Sequence, residues 1–163
     1  MSISRKARIG IMLLIGLPSL LGIGVLAATQ LNLIAVTDDL GGVQQVILDR
    51  SLFDDAPRDD VEFAEISFNG DILTIGFTYT GGLSSHVFEL IGSGDFAESA
   101  PIQTTLVLSH DAQGDSGEAL ISKELNFDLK PLKEAFLQAY SFYAPPDTLL
   151  IQLESYGEIT YHL

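Results

Sequence analysis

The most regular stretch of the chain runs through Leu73, Ile75, Phe77 and Tyr79, which fall two apart with Thr74, Gly76 and Thr78 between them. Side chains alternate across a strand, so this spacing predicts a strand buried on one face. Asn69-Gly70-Asp71 precedes it as a tight turn, because Asn and Gly accept the positive φ of a two-residue hairpin loop, and Val61 to Phe68 alternates imperfectly before that turn. Gly81-Gly82 ends the strand and His86 to Ile91 begins the next, which predicts a meander of short strands. A loop rich in glycine and acids, GSGDFAES, leads through Pro101 to a strand from Gln103 to His110, and an acidic loop follows from Asp111 to Glu118. Ala119 to Leu129 alternates again, with Ile121, Leu125, Phe127 and Leu129 on one side and Lys123 as the exception among them.

Pro131 opens the one good helical pattern, LKEAFLQAY, since proline is tolerated in a first turn and Asp128 or a neighbour could cap it. Leu132, Phe136 and Leu137 or Tyr140 form its apolar stripe, and Pro145-Pro146-Asp147 breaks it. Leu149, Ile151 and Leu153, a turn at Tyr156-Gly157, and Ile159, Tyr161 and Leu163 then predict a closing hairpin. Six to eight short strands with one helix make the chain mostly β, an antiparallel β-sandwich or partly open barrel with one short helix.

Ahead of this domain the pattern changes twice. Arg5, Lys6 and Arg8 are followed by IGIMLLIGLPSLLGIGVLAA, twenty residues without a charge. This is export chemistry, at the overlap between a long signal peptide and a helix just able to span hydrocarbon. Pro18 and the glycines Gly16, Gly22 and Gly24 weaken it as a rigid span, so cleavage near Ala27 or Ala28 is expected over retention as an anchor. Residues 1–28 are thus read as a signal peptide or N-terminal membrane anchor, 29–60 as an irregular acidic lead-in and 61–163 as the β-sandwich-like domain. LAAT at Leu26 to Thr29 looks like a lipobox, but Thr29 stands where the lipidated cysteine must be. Within the lead-in, Val43 to Leu48 could form a strand, while Asp49, Asp54, Asp55, Asp59 and Asp60 around Pro57 read as a solvated loop.

Composition narrows the function. At 163 residues the chain has room for one domain with a real core. It has no cysteine, which excludes disulfides, zinc-thiolate sites and thiol nucleophiles. The net charge is −14; setting aside Arg5, Lys6 and Arg8, five bases face 22 acids, a charge of −17 for the remainder. Phosphate backbones would repel such a surface, so nucleic acid is excluded as a partner, whereas a protein or cation partner is compatible with it. Contact with a membrane is expected only through residues 1–28, if they are uncleaved.

The candidate chemistry lies in two loops. His86 shares parity with Phe88 and Leu90, and His110 with Leu106 and Leu108, so each histidine ends an apolar strand face. If the two strands are neighbours, the imidazoles meet at one edge of the core, and Asp111, Asp115 or Glu118 could complete a mixed nitrogen and oxygen site for a divalent metal. The competing reading is a pair of satisfied core histidines, and no cofactor is required. HDAQGDSGEA partly matches a calcium loop through Asp111, Gln113 and Asp115, but Ser116 and Ser122 stand where an EF-hand needs glycine and glutamate. Ser84, Ser85 and Ser116 lie near the histidines without forming a GxSxG elbow.

GGLSSHVFEL, then LSHDAQGDSGEALI, then LNFDLKPLK, spanning about residues 72 to 137, resembles a group of small exported bacterial β proteins of unassigned function. Their pattern is GGCxxHxFxL, HDxxxDxCEA and FDLxxL, and here Leu83 and Gly117 occupy the two cysteine positions. The resemblance implies location and fold but no reaction. It also implies that the two loops form a clasp, lying close together even without a bond between them. The resulting expectation is an exported, non-enzymatic envelope protein with a binding or structural role, the alternative being a metal-binding protein built on His86 and His110.

Overall fold

A computed structural model describes residues 42–141 and 147–163. The export segment 1–28 and the Pro145-Pro146 break lie outside the described residues. Among the described residues nine strands form two sheets packed face to face, the sandwich that the alternation predicts. The four-stranded sheet contains β1 (Val43–Gln45), β3 (Glu62–Asn69), β4 (Ile72–Gly81) and β7 (Ala119–Asp128), in the order β1-β7-β4-β3. The five-stranded sheet contains β2 (Ile47–Leu48), β5 (Val87–Gly92), β6 (Gln103–Asp111), β8 (Thr148–Leu153) and β9 (Gly157–His162), in the order β2-β5-β6-β8-β9.

Both sheets are mixed rather than wholly antiparallel. β1 runs parallel to β7, β2 to β5, and β6 to β8. The last pairing is parallel because the chain leaves β6, adds β7 to the opposite sheet and returns only after a helix, too long a path for a hairpin. The predicted meander is also revised: β4 and β5 are consecutive yet lie in different sheets, so Gly81-Gly82 carries the chain across the sandwich instead of turning it back. The Asn69-Gly70-Asp71 turn does join neighbouring antiparallel strands, with Gly70 at φ 59°, and β8 and β9 form the closing hairpin.

The lead-in is more ordered than its composition implies. β1 and β2 split the Val43 to Leu48 run between the two sheets, with Val46 buried at the crossing. A short helix α1 (Arg50–Asp55) follows, in place of a loop, because Asp49 accepts hydrogen bonds from the Ser51 and Leu52 N–H groups and so starts the first turn. Phe53 and Ala56 pack with Ile91 and Val107, covering the outer face of β5 and β6. The second helix, α2 (Lys130–Ala139), is the expected one, but Leu129 stands at its N-cap without a side-chain cap, and Asp128, one residue earlier, accepts from the Lys130 N–H; Leu132 and Phe136 are buried while Leu137 stays exposed.

The core sits between the sheets. Leu73, Ile75 and Phe77 of β4 lie in register with Phe127, Leu125 and Lys123 of β7, so those positions share the inner face. Opposite them stand Phe88, Leu90, Leu106, Leu108, Leu149, Ile151 and Tyr161. At one end Asp71, in the β3–β4 turn, accepts from the Tyr161 hydroxyl at 2.6 Å and from Lys133 Nζ at 3.1 Å, tying one sheet to the other and to α2. Those two bonds, Tyr161 first, hold the Asp71 carboxyl below its usual range, while burial and the Asp71 carboxylate push the Tyr161 phenol up.

Phe127 is fully buried, so Phe127→Ala is expected to lower unfolding free energy by about 3–5 kcal/mol. Leu120, 72% exposed, is the control: Leu120→Ala should change it by less than about 0.5 kcal/mol. Urea titration of both variants measures the contrast.

Candidate functional site

β5 and β6 are antiparallel neighbours, with Phe88 directly opposite His110. That register delivers the two histidines to the same end of the core, as their parity predicts. His86 Nδ1 lies 2.7 Å from His110 Nε2, and the rings stack at 5.0 Å between centroids. Phe88 stacks on His110 at 4.5 Å, and Tyr79 from the opposite sheet packs on His86 at 4.7 Å.

Asp115 closes one end of the chain of contacts, its Oδ2 lying 3.1 Å from His86 Nε2. The same oxygen accepts the consecutive backbone N–H groups of Gly82, Leu83 and Ser84 at 2.8, 3.0 and 3.0 Å, while Oδ1 accepts from Gly117 at 2.7 Å. Successive N–H groups curled around an anion form a nest, which here is filled by the protein's own carboxylate. Gly82 supplies the turn with φ 118°. Gly81 supplies space: a Cβ there would stand 2.7 Å from His86 Nε2. Gly117 packs onto the Gly81 carbonyl so closely that no side chain fits. The loops carrying Leu83 and Gly117 are therefore clasped together by a carboxylate, as a clasp between them requires.

The other end is closed by a group with no sequence signal. Beyond Leu106, β8 no longer borders β6, and Pro57 to Asp59 takes the vacated edge through the bonds His110 N–H to Pro57 O and Asp59 N–H to His110 O, both 3.0 Å. This sets the Asp59 carbonyl 3.1 Å from His110 Nδ1, and the Asp59 carboxylate accepts from the Ala112 N–H. The Asp-rich segment read as a solvated loop is thus partly structural.

The donors at the two ends of this chain follow from their acceptors. An ionised Asp115 can only accept, so His86 Nε2 donates to it; the Asp59 carbonyl can only accept, so His110 Nδ1 donates to it. The two rings meet through His86 Nδ1 and His110 Nε2. The His86 and Asp115 side chains are 1% and 0% exposed, so the Asp115 charge is held by its N–H donors rather than by water.

This arrangement does not fit a metal. Two nitrogens on a tetrahedral zinc, each bonded at about 2.0–2.1 Å, stand about 3.3 Å apart. The 2.7 Å separation is that of a hydrogen bond, and all four ring nitrogens are engaged. Of the expected binding residues, His86, His110 and Asp115 come together, whereas Asp111 and Glu118 do not join them. Asp111 accepts the Gln113 N–H within its own turn, and Glu118 is exposed. Both Asp115 oxygens face N–H donors, so this carboxylate is committed within the protein.

No protein-family model matches the chain, and no curated protein matches it. Among solved structures, a NigD-like immunity protein from Bacteroides caccae is similar at 19% identity, covering 73% of this chain and 58% of its own, with a TM-score of 0.52. A protein of unknown function, DUF1344, from Bacteroides vulgatus is 16% identical over 76% of this chain and 56% of its own, with a TM-score of 0.49. The chain spans just over half the length of either. At these identities the likeness is one of fold, and it rests on the NigD-like chain.

The N–H groups of Ser84, Gly117 and Leu83, with His86, hold the Asp115 carboxyl well below the usual carboxylate range. A carboxyl that binds its proton more weakly in the folded than in the unfolded chain adds stability above the usual range, about pH 4, and loses it as pH falls through that range toward the folded value. Asp115→Asn should therefore lower Tm at neutral pH and flatten the fall of Tm in acid. Nitrogen-15 NMR of the histidine rings should find His86 Nε2 and His110 Nδ1 carrying protons; a bare nitrogen at either position would refute the direction of these two bonds.

Proposed function

We propose that the chain is an exported, non-enzymatic protein of the bacterial cell envelope with a binding or structural role. One observation carries the non-enzymatic part. His86, His110 and Asp115, the side chains best suited to proton transfer or metal ligation, spend their polar atoms holding two loops together inside the sandwich. A general base needs a lone pair for its substrate's proton, and all four ring nitrogens are engaged within the protein.

Export is supported by the basic cluster and uncharged run of residues 1–28, followed by a strongly acidic remainder. Among the described residues no helix is long and apolar enough to cross a membrane. A fold shared with a protein named for immunity supports the binding role at the level of fold alone. The acidic surface favours a protein or cation partner over nucleic acid. Nothing in the geometry favours the metal-binding alternative at His86 and His110.

Expressed with its full N-terminus in a Gram-negative host, the chain should fractionate with the periplasm or membrane, and mass spectrometry should place a new N-terminus near Ala28 or Thr29 if the segment is cleaved. A purely cytoplasmic product overturns export. Zinc or copper should leave the Tm unchanged, and bound metal that disappears in the His86→Ala, His110→Ala double variant would restore the metal reading.

A further inference from the structure

Lys123 breaks the apolar pattern of β7, and the clasp does not use it. It lies in register with Phe77, a position on the inner face, and is half-buried. Its ammonium stands 5.4 Å from the centre of the Phe88 ring, whose stacking partner is His110. Among the described residues no carboxylate lies within ion-pair distance of Lys123, although the chain carries 22 acids.

The space beside it is a cavity of about 380 Å³ at the side of the sandwich where β1 and β7 face the start of β5. Its polar wall includes Ser84, Ser85, Gln44 and His86, and its apolar wall Tyr79, Val87, Phe88 and Leu125. A pocket of that size, with an ammonium and a few hydroxyl and amide groups around an apolar floor, has the make-up of a small-molecule site. An inward ammonium beside an aromatic face is a partial substitute for an anion, and a ligand's own anion would complete the pairing.

We infer that this cavity binds a small organic monoanion, a carboxylate with a compact apolar body, its charge on Lys123 and the Ser84 and Ser85 hydroxyls and its body against Tyr79, Val87 and Leu125. The site gives the binding role a location and so rests on that part of the proposed function. In so acidic a protein the anion is selected at short range: the surrounding charge repels anions, and only a ligand that also fills the apolar wall offsets that repulsion.

Phenylacetate, phenylacetamide and phenethylamine, titrated into the full ¹⁵N-labelled chain, test the assignment. Phenylacetate should shift the Ser84, Ser85 and Lys123 amide resonances saturably, with a Kd of about 1 mM, and the neutral amide and the amine should bind at least about tenfold more weakly. Lys123→Met keeps the stem and removes the charge, and should weaken phenylacetate at least about tenfold; Lys123→Arg should stay within about threefold. No saturable shift, equal binding of acid and amide, or undiminished binding by Lys123→Met overturns the site. The acid-to-amide comparison uses the unaltered protein and stands even if Lys123→Met fails to fold. An exported chain that ignores all three probes overturns the pocket and leaves the envelope reading intact, whereas a chain that binds phenylacetate but stays in the cytoplasm does the reverse.

Discussion

One carboxylate holds this end of the sandwich together. Asp115 accepts three consecutive N–H groups from the loop after β4, one from its own loop, and a bond from His86. Peptide groups removed from water must find partners, and a sharp turn such as Gly82 to Ser84 leaves several N–H groups pointing inward together. Supplying one anion to all of them satisfies the turn. The anion in turn holds His86, whose ring meets His110, and the Asp59 carbonyl fixes the far side of the second ring. A turn, two histidines and an edge segment about fifty residues earlier in sequence are thus one electrostatic unit.

That unit sits where the topology most needs it. β4 and β5 are joined by a short connection that changes sheets, so the sheets would be free to splay there without a contact between the loops. The Asp71 bonds to Tyr161 and Lys133 do a related job for the other sheet edges, again with one carboxylate serving more than one donor. Between the two ties the core is ordinary close-packed hydrocarbon, with Leu73, Ile75, Leu90, Leu106 and Phe127 wholly enclosed.

The inner faces of β4, β7, β8 and β9 were readable from alternation, because burial imposes a period of two whatever the neighbouring strand is. The parity of His86 and His110 was readable for the same reason, as was the helix at Lys130–Ala139. Neighbour identity leaves no such periodic trace, so the parallel pairings of β1, β2 and β8, and the sheet change after β4, were not visible. α1 was hidden by its brevity and its aspartates, one of which is the cap that starts it. In the site, Asp115 could not be told from Asp111 or Glu118 by type; what separates them is the nest, which depends on backbone directions in another loop. The Asp59 contact is made by a carbonyl, a group every residue has. Lys123 was the reverse case, a visible exception to an apolar face whose meaning required the cavity beside it.

The split of residues 43–48 between the sheets bears on mechanics. β1 lies parallel to β7 and β2 parallel to β5, with buried Val46 between them. Tension applied at residue 42 along these strands would load their hydrogen bonds in shear, several at once, rather than unzip them singly. It would also be shared by both sheets from the first few residues. In a chain tethered at its N-terminus, the leash would pull on a stitch through the whole sandwich instead of on one outer strand.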